Sequence, residues 1–295
     1  MGYLEHRKKM IKKGNRYLVT GGYGFLAKGL IDKLLALECN VTTICRNAYK
    51  AERLFMQYEG KVEVIVGDLL SDDVYHKLSG QNLNILGNAG NLSRTYTGVF
   101  HLAAMRDVTV CENRPSECIK ANLMSSLKLL DFSLQARLEF CVGASTFAAD
   151  KPTGVYGASK LLMEKLFAEF STKNPMCHYS VLRFGPLLYS PGSVLCKWTD
   201  ALLHKTKILL TAPEATRKFI SPLAVIDQML MSTDSSGVKE LDSKSVKLKH
   251  LLEAYVQKYG DSQTDYEITG LKEGEQLESG DSSELFTLEE IKAMI

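Results

Sequence analysis

The sequence predicts an α/β fold in which a doubly wound parallel sheet is followed by a smaller C-terminal lobe. Over the first half of the chain, short apolar runs alternate with segments of helical periodicity. A glycine-rich turn joins the first run to the first helix. The alternation fades after about residue 186. We therefore expect one domain over 14–185 and the lobe over 186–295, with some later segments free to return to the sheet.

The expected strands are short, apolar and bounded by turn residues, as is usual for parallel strands buried on both faces. In chain order they cover 17–19, 41–44, 62–66, 99–102, 140–144 and 179–183. Helical periodicity separates them over 26–35, 48–58, 116–136 and 156–172. In the lobe, helices are expected near 192–205, 222–232, 246–259 and 287–294. The long polar stretch 80–98 predicts a surface loop.

Composition narrows the class of protein. The 295 residues include 36 Lys and Arg against 34 Asp and Glu, and this balance argues against a nucleic-acid partner. No apolar run approaches the roughly 18 residues that a membrane span needs, so no membrane association is expected. The 7 cysteines include no Cys-x-x-Cys pair. That pattern indicates reduced thiols in a cytoplasmic protein and no metal site.

The turn over residues 20–27 has the context of a dinucleotide-binding fingerprint, and it makes the predicted sheet a Rossmann-type one. Gly21 permits a tight turn, Gly24 lets the backbone approach a pyrophosphate, and Ala27 is small enough for helix–strand packing. An ordinary strand-to-helix turn is the alternative. The expected cofactor contacts of this turn are Gly21, Gly22, Tyr23, Gly24, Phe25 and Leu26.

The end of the second strand favours NADP over NAD. An NAD site usually has an acidic residue there, whereas this chain has Arg46 and Asn47, followed by Lys50. A guanidinium matches a 2′-phosphate, although Arg46 could also be a solvated strand-end residue. Asp68 and Leu69, after the third strand, are expected beside the adenine.

The candidate reaction centre is the pair Tyr156 and Lys160. Their spacing places both side chains on one face of a helix, one turn apart. A free phenol has a pKa near ~10, and a neighbouring ammonium favours the phenolate. Thr146 ends the preceding strand and joins the pair as a catalytic candidate. On spacing alone, an ordinary surface helix pair would explain Tyr156 and Lys160 better, and it is the combination with the glycine turn and with Ser145 and Thr146 that favours a reaction centre.

With these motifs the chain resembles the extended short-chain dehydrogenase/reductase superfamily. The match is carried by 20–27, 67–68, 101–104, Asn122, 145–146, Tyr156 and Lys160. Within the superfamily the chain looks most like the 5-inverting UDP-N-acetylglucosamine 4,6-dehydratase and polysaccharide-biosynthesis branch. That likeness lies in segments 100–108, 113–122, 192–194, 216–217 and 270–278.

The resemblance implies the remaining roles. Tyr156 would take the proton of the sugar 4-hydroxyl while the hydride passes to NADP⁺, and Thr146 would hydrogen-bond the same oxygen. Ala103 and Ala104 would contact the cofactor. The implied substrate-binding residues are Arg106, Asn122, Ser193, Val194, Arg217 and Glu275. His101 is expected to be structural. A homodimer or higher homo-oligomer is implied through the helices near 116–136 and 156–172.

The chain departs from the branch that it resembles after Ser145 and Thr146, and also at Pro186, where the branch usually has Asn, and at Ala212, where it often has Asp. The dehydratases carry an Asp-Lys pair after the Ser-Thr, and that pair removes the carbon-5 proton and expels water. Here Phe147 and Ala148 follow Ser145 and Thr146, and neither side chain can move a proton. Asp150 and Lys151, a few residues further on, are the available substitutes, although a turn before the next helix explains them better.

Three functions follow from this pattern. The first is an NADP-dependent oxidoreductase acting at carbon 4 of a UDP-linked N-acetylamino sugar, either a 4-keto-6-deoxy or a 5,6-ene form. It would serve surface-glycan or nonulosonic (pseudaminic-type) sugar supply. The second is a complete UDP-N-acetylglucosamine 4,6-dehydratase that uses displaced acid and base groups. The third is a non-catalytic nucleotide-sensing scaffold.

Overall fold

The computed structural model describes residues 11–80, 96–241, 244–271, 277 and 285–295. Its strands, in chain order, are β1 (Arg16–Thr20), β2 (Asn40–Cys45), β3 (Val62–Val66), β4 (Gly98–His101), β5 (Phe140–Thr146), β6 (His178–Phe184), β7 (Ile208–Leu210), β8 (Thr216–Arg217), β9 (Gly237–Glu240), β10 (Val246–Lys247) and β11 (Tyr266–Ile268). Seven of them form a parallel sheet in the order β3-β2-β1-β4-β5-β6-β9. The order reverses between β1 and β4, which is where doubly wound sheets open a binding crevice.

The helices lie on both faces of this sheet or in the lobe. They are α1 (Phe25–Ala36), α2 (Ala48–Gln57), α3 (Asp72–Leu78), α4 (Val108–Asn113), α5 (Pro115–Ile119), α6 (Ser125–Gln135), α7 (Val155–Lys173), α8 (Val194–Leu203), α9 (Pro222–Met231), α10 (Leu248–Tyr259) and α11 (Leu288–Met294). A π-helical turn, Lys120–Met124, joins α5 to α6, and a 3₁₀ turn, Phe147–Ala149, follows β5. The predicted single helix near 116–136 therefore contains a π-turn.

The two faces of the sheet carry separate apolar cores. On one face, Leu30 and Leu34 of α1 meet Ile226 and Met229 of α9 against the sheet. On the other, residues of α3, α6 and α7 form the core, among them Phe167. Burial on both faces explains why the strands are continuous apolar runs. The prediction of a Rossmann-type, doubly wound parallel sheet is confirmed.

The lobe has its own core. Trp198 of α8 packs with residues of β7, α10 and α11, including Ile208, Leu251 and Ile291. Two small sheets frame it, since β7 pairs with β11 and β8 pairs with β10. The sequence analysis does not predict β7–β11, because a strand of only two to four residues is too short to show a pattern.

Part of the chain after residue 186 returns to the main sheet. Strand β9 pairs with β6, and α9 packs on α1. We accordingly propose the division at residue 185 with α9 and β9 assigned to the first domain. Most of the predicted 80–98 loop, residues 81–95, lies outside the described residues. Within the described part of the chain, no helix is long and apolar enough to cross a membrane.

Candidate active site

A cavity of about 1500 Å³ runs between the carboxyl ends of the strands and the lobe. Nearly all the site residues predicted from the sequence line it. They are Gly21, Tyr23, Gly24, Phe25, Leu26, Arg46, Asn47, Lys50, Asp68, Leu69, Ala103, Ala104, Arg106, Thr146, Tyr156, Lys160, Ser193, Val194 and Arg217. Gly22 and Asn122 lie behind the wall instead, and Glu275 lies outside the described residues.

The glycine turn is shaped by close backbone contacts. Gly21 has a φ of 71°, and a Cβ there would lie 2.9 Å from the Cα of Ala103. A Cβ at Gly22 would lie 2.0 Å from the Thr43 Oγ1, so Gly22 serves packing on β2. The Gly24 amide donates to the Gly21 carbonyl at 2.7 Å. This cradle opens onto the N-terminus of α1, where backbone donors and the helix dipole suit a pyrophosphate, so the turn fits a dinucleotide.

Thr20 fixes this turn against the neighbouring strand. Its hydroxyl accepts hydrogen bonds from the amides of Leu102 and Ala103, both at 3.1 Å, and it meets the His101 Nδ1 at 2.8 Å. The His101 Nε2 lies 2.8 Å from the Ser126 hydroxyl. Burial lowers the pKa of His101 to about 3, so its ring is neutral. The expectation that His101 is structural agrees with these contacts.

The ends of β2 and β3 present mixed charge to the cavity. The Arg46 Nη1 lies 3.9 Å from the Asp68 Oδ2, and the Arg46 side chain is 71% exposed. Asn47 caps α2 by accepting from the Lys50 amide at 2.9 Å. The Lys50 ammonium lies 5.3 Å from the centre of the Tyr23 ring. Two cations and one carboxylate therefore surround the position where a cofactor ribose would lie.

Tyr156 lies in the first turn of α7 and hydrogen-bonds the Thr146 side chain. Burial raises the pKa of Tyr156 to about 12, while the Thr146 hydrogen bond and the charge of Arg106 act in the opposite direction. We expected the ammonium of Lys160 to favour the phenolate. In the structure, the effect of burial on the pKa of Tyr156 exceeds the opposite effects of the Thr146 hydrogen bond and of nearby positive charge. The cation that lowers this pKa is Arg106.

Lys160 is buried beneath the reaction centre and is only 4% exposed. Its Nζ donates to the Ala144 carbonyl at 2.9 Å and lies 3.7 Å from the Met163 Sδ. Burial lowers the pKa of Lys160 to about 8, against the raising effect of the Cys118 thiol and the Glu164 carboxylate. Lys160 therefore carries its charge at neutral pH, but by a small margin.

Asn122 positions a loop, because its side chain lies behind the cavity wall. It is fully buried in the π-turn. Its Oδ1 accepts from the Met105 amide at 2.7 Å, and its Nδ2 donates to the Met105 carbonyl at 2.9 Å. The next residue, Arg106, crosses the cavity and donates to the Pro191 carbonyl at 2.7 Å. Asn122 thus aims Arg106 into the cavity.

The lobe supplies the other expected substrate contacts. Ser193 caps α8, with its hydroxyl accepting from the Cys196 amide at 3.4 Å, and Val194 begins that helix. The Arg217 Nη1 donates to the Thr216 carbonyl at 2.8 Å and to the Leu277 carbonyl at 3.2 Å. Backbone carbonyls thereby hold this guanidinium at the cavity wall.

The turn after Thr146 offers no proton-transfer group at its first two positions. Phe147 is 5% exposed, and the Lys218 ammonium lies 5.2 Å from its ring centre. Phe147 and Ala148 both line the cavity. Asp150 is not among the lining residues, and its carboxylate pairs with the Arg183 Nη1 at 2.9 Å.

Sequence reasoning missed two features. Phe184, which ends β6, and Leu187 also line the cavity near the reaction centre, on either side of Pro186, which the sequence marks as a departure from the branch. Glu164 forms a buried ion pair with Arg183 at 2.7 Å. The sequence signal for Glu164 is its position four residues after Lys160, on the same face of the predicted helix. Acidic residues are almost never fully buried in proteins unless they are paired.

Comparison with known proteins agrees with this geometry. A family model described as "Polysaccharide biosynthesis protein" matches residues 17–292. An uncharacterized membrane protein of Methanocaldococcus jannaschii is 29% identical over 299 residues, covering 96% of this chain and 85% of its own length. The inverting UDP-N-acetylglucosamine 4,6-dehydratase of Campylobacter jejuni serotype O:23/36 is 36% identical over 126 residues, 42% of this chain and 38% of that enzyme.

A solved structure extends the likeness over the whole fold. UDP-glucose 4-epimerase of Thermus thermophilus, in complex with NAD, superimposes with a TM-score of 0.77 at 20% identity and covers 95% of this chain and 93% of its own. Fold and site thus define a short-chain dehydrogenase/reductase of the sugar-nucleotide epimerase/dehydratase type. Within that class, the chain belongs to the polysaccharide biosynthesis protein family.

Proposed function

We propose that the protein is an NADP-dependent oxidoreductase acting at carbon 4 of a UDP-linked N-acetylamino sugar. Its substrate is a 4-keto-6-deoxy or 5,6-ene form, and its products serve surface-glycan or nonulosonic (pseudaminic-type) sugar supply. One observation carries the proposal: Tyr156, Thr146 and Lys160 converge on the cavity, while the adjacent Phe147 and Ala148 offer no group for expelling water.

The chain's own residues divide the chemistry as follows. The Tyr156 hydroxyl exchanges a proton with the oxygen on carbon 4, and Thr146 holds that oxygen in line. The charge of Arg106 lowers the pKa of Tyr156, and we propose that the buried ammonium of Lys160 adds to this effect when the phenolate forms during proton transfer. A bound nicotinamide supplies the acceptor or donor of the hydride.

We propose NADP as the cofactor because of the charges at the ends of β2 and β3. Arg46 would turn from Asp68 to a 2′-phosphate, and Lys50 would add a second cation. The long, 3.9 Å contact between Arg46 and Asp68 leaves the guanidinium able to make this exchange. Asp68 would then meet the adenine side of the nucleotide.

The UDP portion would lie against the lobe. We propose that Arg217 meets the diphosphate, that Ser193 and Val194 contact the nucleotide at the start of α8, and that Arg106 closes the opposite side. Glu275 remains a candidate on sequence grounds alone. Arg217 suits a diphosphate because a guanidinium presents several donors in one plane.

The sugar end of the cavity is apolar next to Thr146. Phe147, Ala148, Phe184, Pro186 and Leu187 line it. Such a wall accepts a methyl or methylene carbon 6 and gives no hydrogen bond to a 6-hydroxyl, whose burial without a partner is costly. This composition supports a substrate that has already lost its 6-hydroxyl.

The test is product analysis by mass spectrometry. The protein would be incubated with NADP⁺ and UDP-N-acetylglucosamine, and separately with the 5,6-ene and, with NADPH, the 4-keto derivative. We expect a two-hydrogen change or an isomerised product from the derivatives, and no loss of water from the saturated sugar. Water loss would overturn the proposal, and no turnover of any sugar would favour the scaffold.

The complete dehydratase is the second candidate, supported by the likeness to the Campylobacter enzyme over 126 residues. It requires another acid and base in place of Phe147 and Ala148. Asp150 is tied to Arg183 at 2.9 Å and is not part of the cavity lining. An Asp150→Asn variant separates the candidates, because only the dehydratase would lose activity through the loss of a catalytic carboxylate.

We also propose that the protein is a homodimer in the cytoplasm, where its seven unpaired thiols would stay reduced. Four large apolar side chains are exposed on the segment from α5 to α6 and on α7. They are Ile119, Met124, Leu127 and Leu162, each 41–50% exposed. A Leu127→Asp, Leu162→Asp double variant should shift the mass measured by light scattering to that of a monomer, while Leu203→Asp in the lobe should not.

A further inference from the structure

Glu164 is a buried carboxylate on the same helix as the reaction-centre pair, one turn beyond Lys160. Its side chain is only 3% exposed. A carboxylate is rarely buried to this extent unless it is paired and hydrogen-bonded, because burial removes the hydration of its charge. None of the roles proposed above uses Glu164, so its burial needs another explanation.

The first partner of Glu164 is Arg183 on β6. The two make a bidentate pair, with Nε to Oε1 at 2.9 Å and Nη2 to Oε2 at 2.7 Å. The Arg183 Nη1 also donates to Asp150 and to Glu240, both at 2.9 Å. One guanidinium thereby joins α7, β6, β9 and the turn after β5, which holds the Glu164 carboxylate in a fixed orientation.

The second partner is Ser145, whose hydroxyl donates to the Glu164 Oε1 at 2.6 Å. Ser145 lies between two residues that hold the reaction centre. The carbonyl of Ala144 accepts from the Lys160 Nζ at 2.9 Å, and the Thr146 side chain hydrogen-bonds Tyr156. The Glu164 carboxylate therefore anchors the strand segment that orients both Lys160 and Tyr156.

The groups facing Lys160 differ in their charge. From β4 comes His101, whose pKa of about 3 leaves it neutral. Cys111 of α4 has a pKa raised to about 12 by burial, and α5 adds the Cys118 thiol. Tyr156, on α7 itself, has a pKa of about 12. Glu164, held by Arg183, is the carboxylate among the described groups that act on Lys160.

We propose that Glu164 is a positioning residue that keeps Lys160 positively charged in its buried site and fixes the Ser145 segment beneath the reaction centre. The catalytic consequence rests on the proposed function, but the effect on Lys160 does not. Asp150 and Glu240 both contact the Nη1 of Arg183, so three carboxylates surround this one guanidinium.

The experiment measures the protonation of Lys160 directly in the full chain without ligands. Protein labelled at the lysine Cε with ¹³C is titrated by NMR, and Lys160→Met identifies the signal. In Glu164→Gln we expect the pKa of Lys160 to fall by about one unit, since the Glu164 carboxylate, one helical turn away, raises that pKa and a neighbouring opposite charge typically shifts a pKa by about 1–3 units. Glu169→Gln, which breaks an exposed ion pair with Lys173 on the same helix, should leave it unchanged.

Glu164→Asp guards against a loss of folding in Glu164→Gln, because it keeps a charge for Arg183 and withdraws the carboxylate by one methylene. It should lower the pKa of Lys160 by a smaller amount. A Lys160 pKa equal to that of the wild type in every folded variant overturns the proposal. If the wild type turns over a nucleotide sugar, the alkaline limb of kcat should move down with the NMR value. If it turns over none, the proposed function fails while the titration still decides the role of Glu164.

Discussion

The two parts of the cavity are built in opposite ways. Around the reaction centre, polar side chains are buried and fully engaged: His101, Asn122, Lys160 and Glu164 are each at most 4% exposed. At the position proposed for a 2′-phosphate, the cations Arg46 and Lys50 are exposed, Arg46 at 71%. The chemistry is thus preorganised by the core, whereas ligand charge is met by side chains that can adjust. Preorganised groups are the ones whose loss costs most.

The largest effect is expected at Tyr156. A Tyr156→Phe variant should lower kcat by about 10²–10⁴, the usual contribution of a positioned acid or base, because the neighbouring Thr146 hydroxyl is a far weaker acid than a phenol. Cofactor affinity, measured by fluorescence titration, should change little. Tyr49→Phe, on the exposed face of α2, is the matched control. Retention of a tenth or more of the activity would show that Tyr156 is not the proton donor.

The second prediction concerns Arg46, at the exposed end of the cavity that is proposed to bind the cofactor. Arg46→Ala should weaken NADP binding about ten- to a hundredfold, since a hydrogen bond to a charged group contributes about 1.5–3 kcal/mol. Affinity for NAD should stay nearly the same, because NAD lacks the 2′-phosphate. Calorimetric titration of both cofactors checks this difference. Arg53→Ala, which removes a cation from α2 beside Tyr49, should affect neither, and equal losses for NADP and NAD would contradict the assignment.

The burial of His101 beside the reaction centre also predicts that the stability of the protein depends on pH. The pKa of His101 is about 3 in the folded protein and about 6.5 in an unfolded chain. The unfolded state therefore binds a proton that the folded state refuses, so stability is complete above about pH 6.5 and falls as the pH drops toward 3. The slope should be about 1.4 kcal/mol per pH unit.

Denaturant unfolding between pH 7 and pH 4 measures this slope. His101→Gln should flatten the curve by that amount, because glutamine does not titrate. His178→Gln alters an exposed histidine at the start of β6 and should leave the slope as it is. An equal flattening in the two variants would show that His101 is not the titrating group.

The smallest effect is expected at Arg106, which reaches across the cavity from an exposed position. Arg106→Ala removes its hydrogen bond to the Pro191 carbonyl, worth about 0.5–1.5 kcal/mol. By steady-state kinetics, the KM for the nucleotide sugar should rise about two- to tenfold, and kcat should fall by a smaller factor because the charge of Arg106 lowers the pKa of Tyr156. A loss confined to kcat would instead place Arg106 with the preorganised groups.

Local patterns predicted six of the seven strands of the main sheet, because strands buried on both faces leave uninterrupted apolar runs. They also predicted the glycine turn and the Tyr156–Lys160 pair that line the cavity, since a glycine turn and a Tyr-x-x-x-Lys helix are short-range motifs. The patterns did not predict β9, whose four residues gain their place by pairing with β6. The family resemblance assigned Asn122 to the substrate, and nothing in the identity of its neighbours shows that its side chain bonds Met105.

The sequence by itself determined the Rossmann-type sheet, the glycine turn and the pairing of Tyr156 with Lys160, because each depends on contacts within a few residues or on a periodic apolar pattern. Only the tertiary structure decided how charge is distributed around that pair. Arg183 is 19 residues from Glu164 and 33 from Asp150 along the chain, yet it binds both. Burial, which sets the pKa values of Tyr156 and Lys160, is likewise a property of the packed core and not of the local sequence.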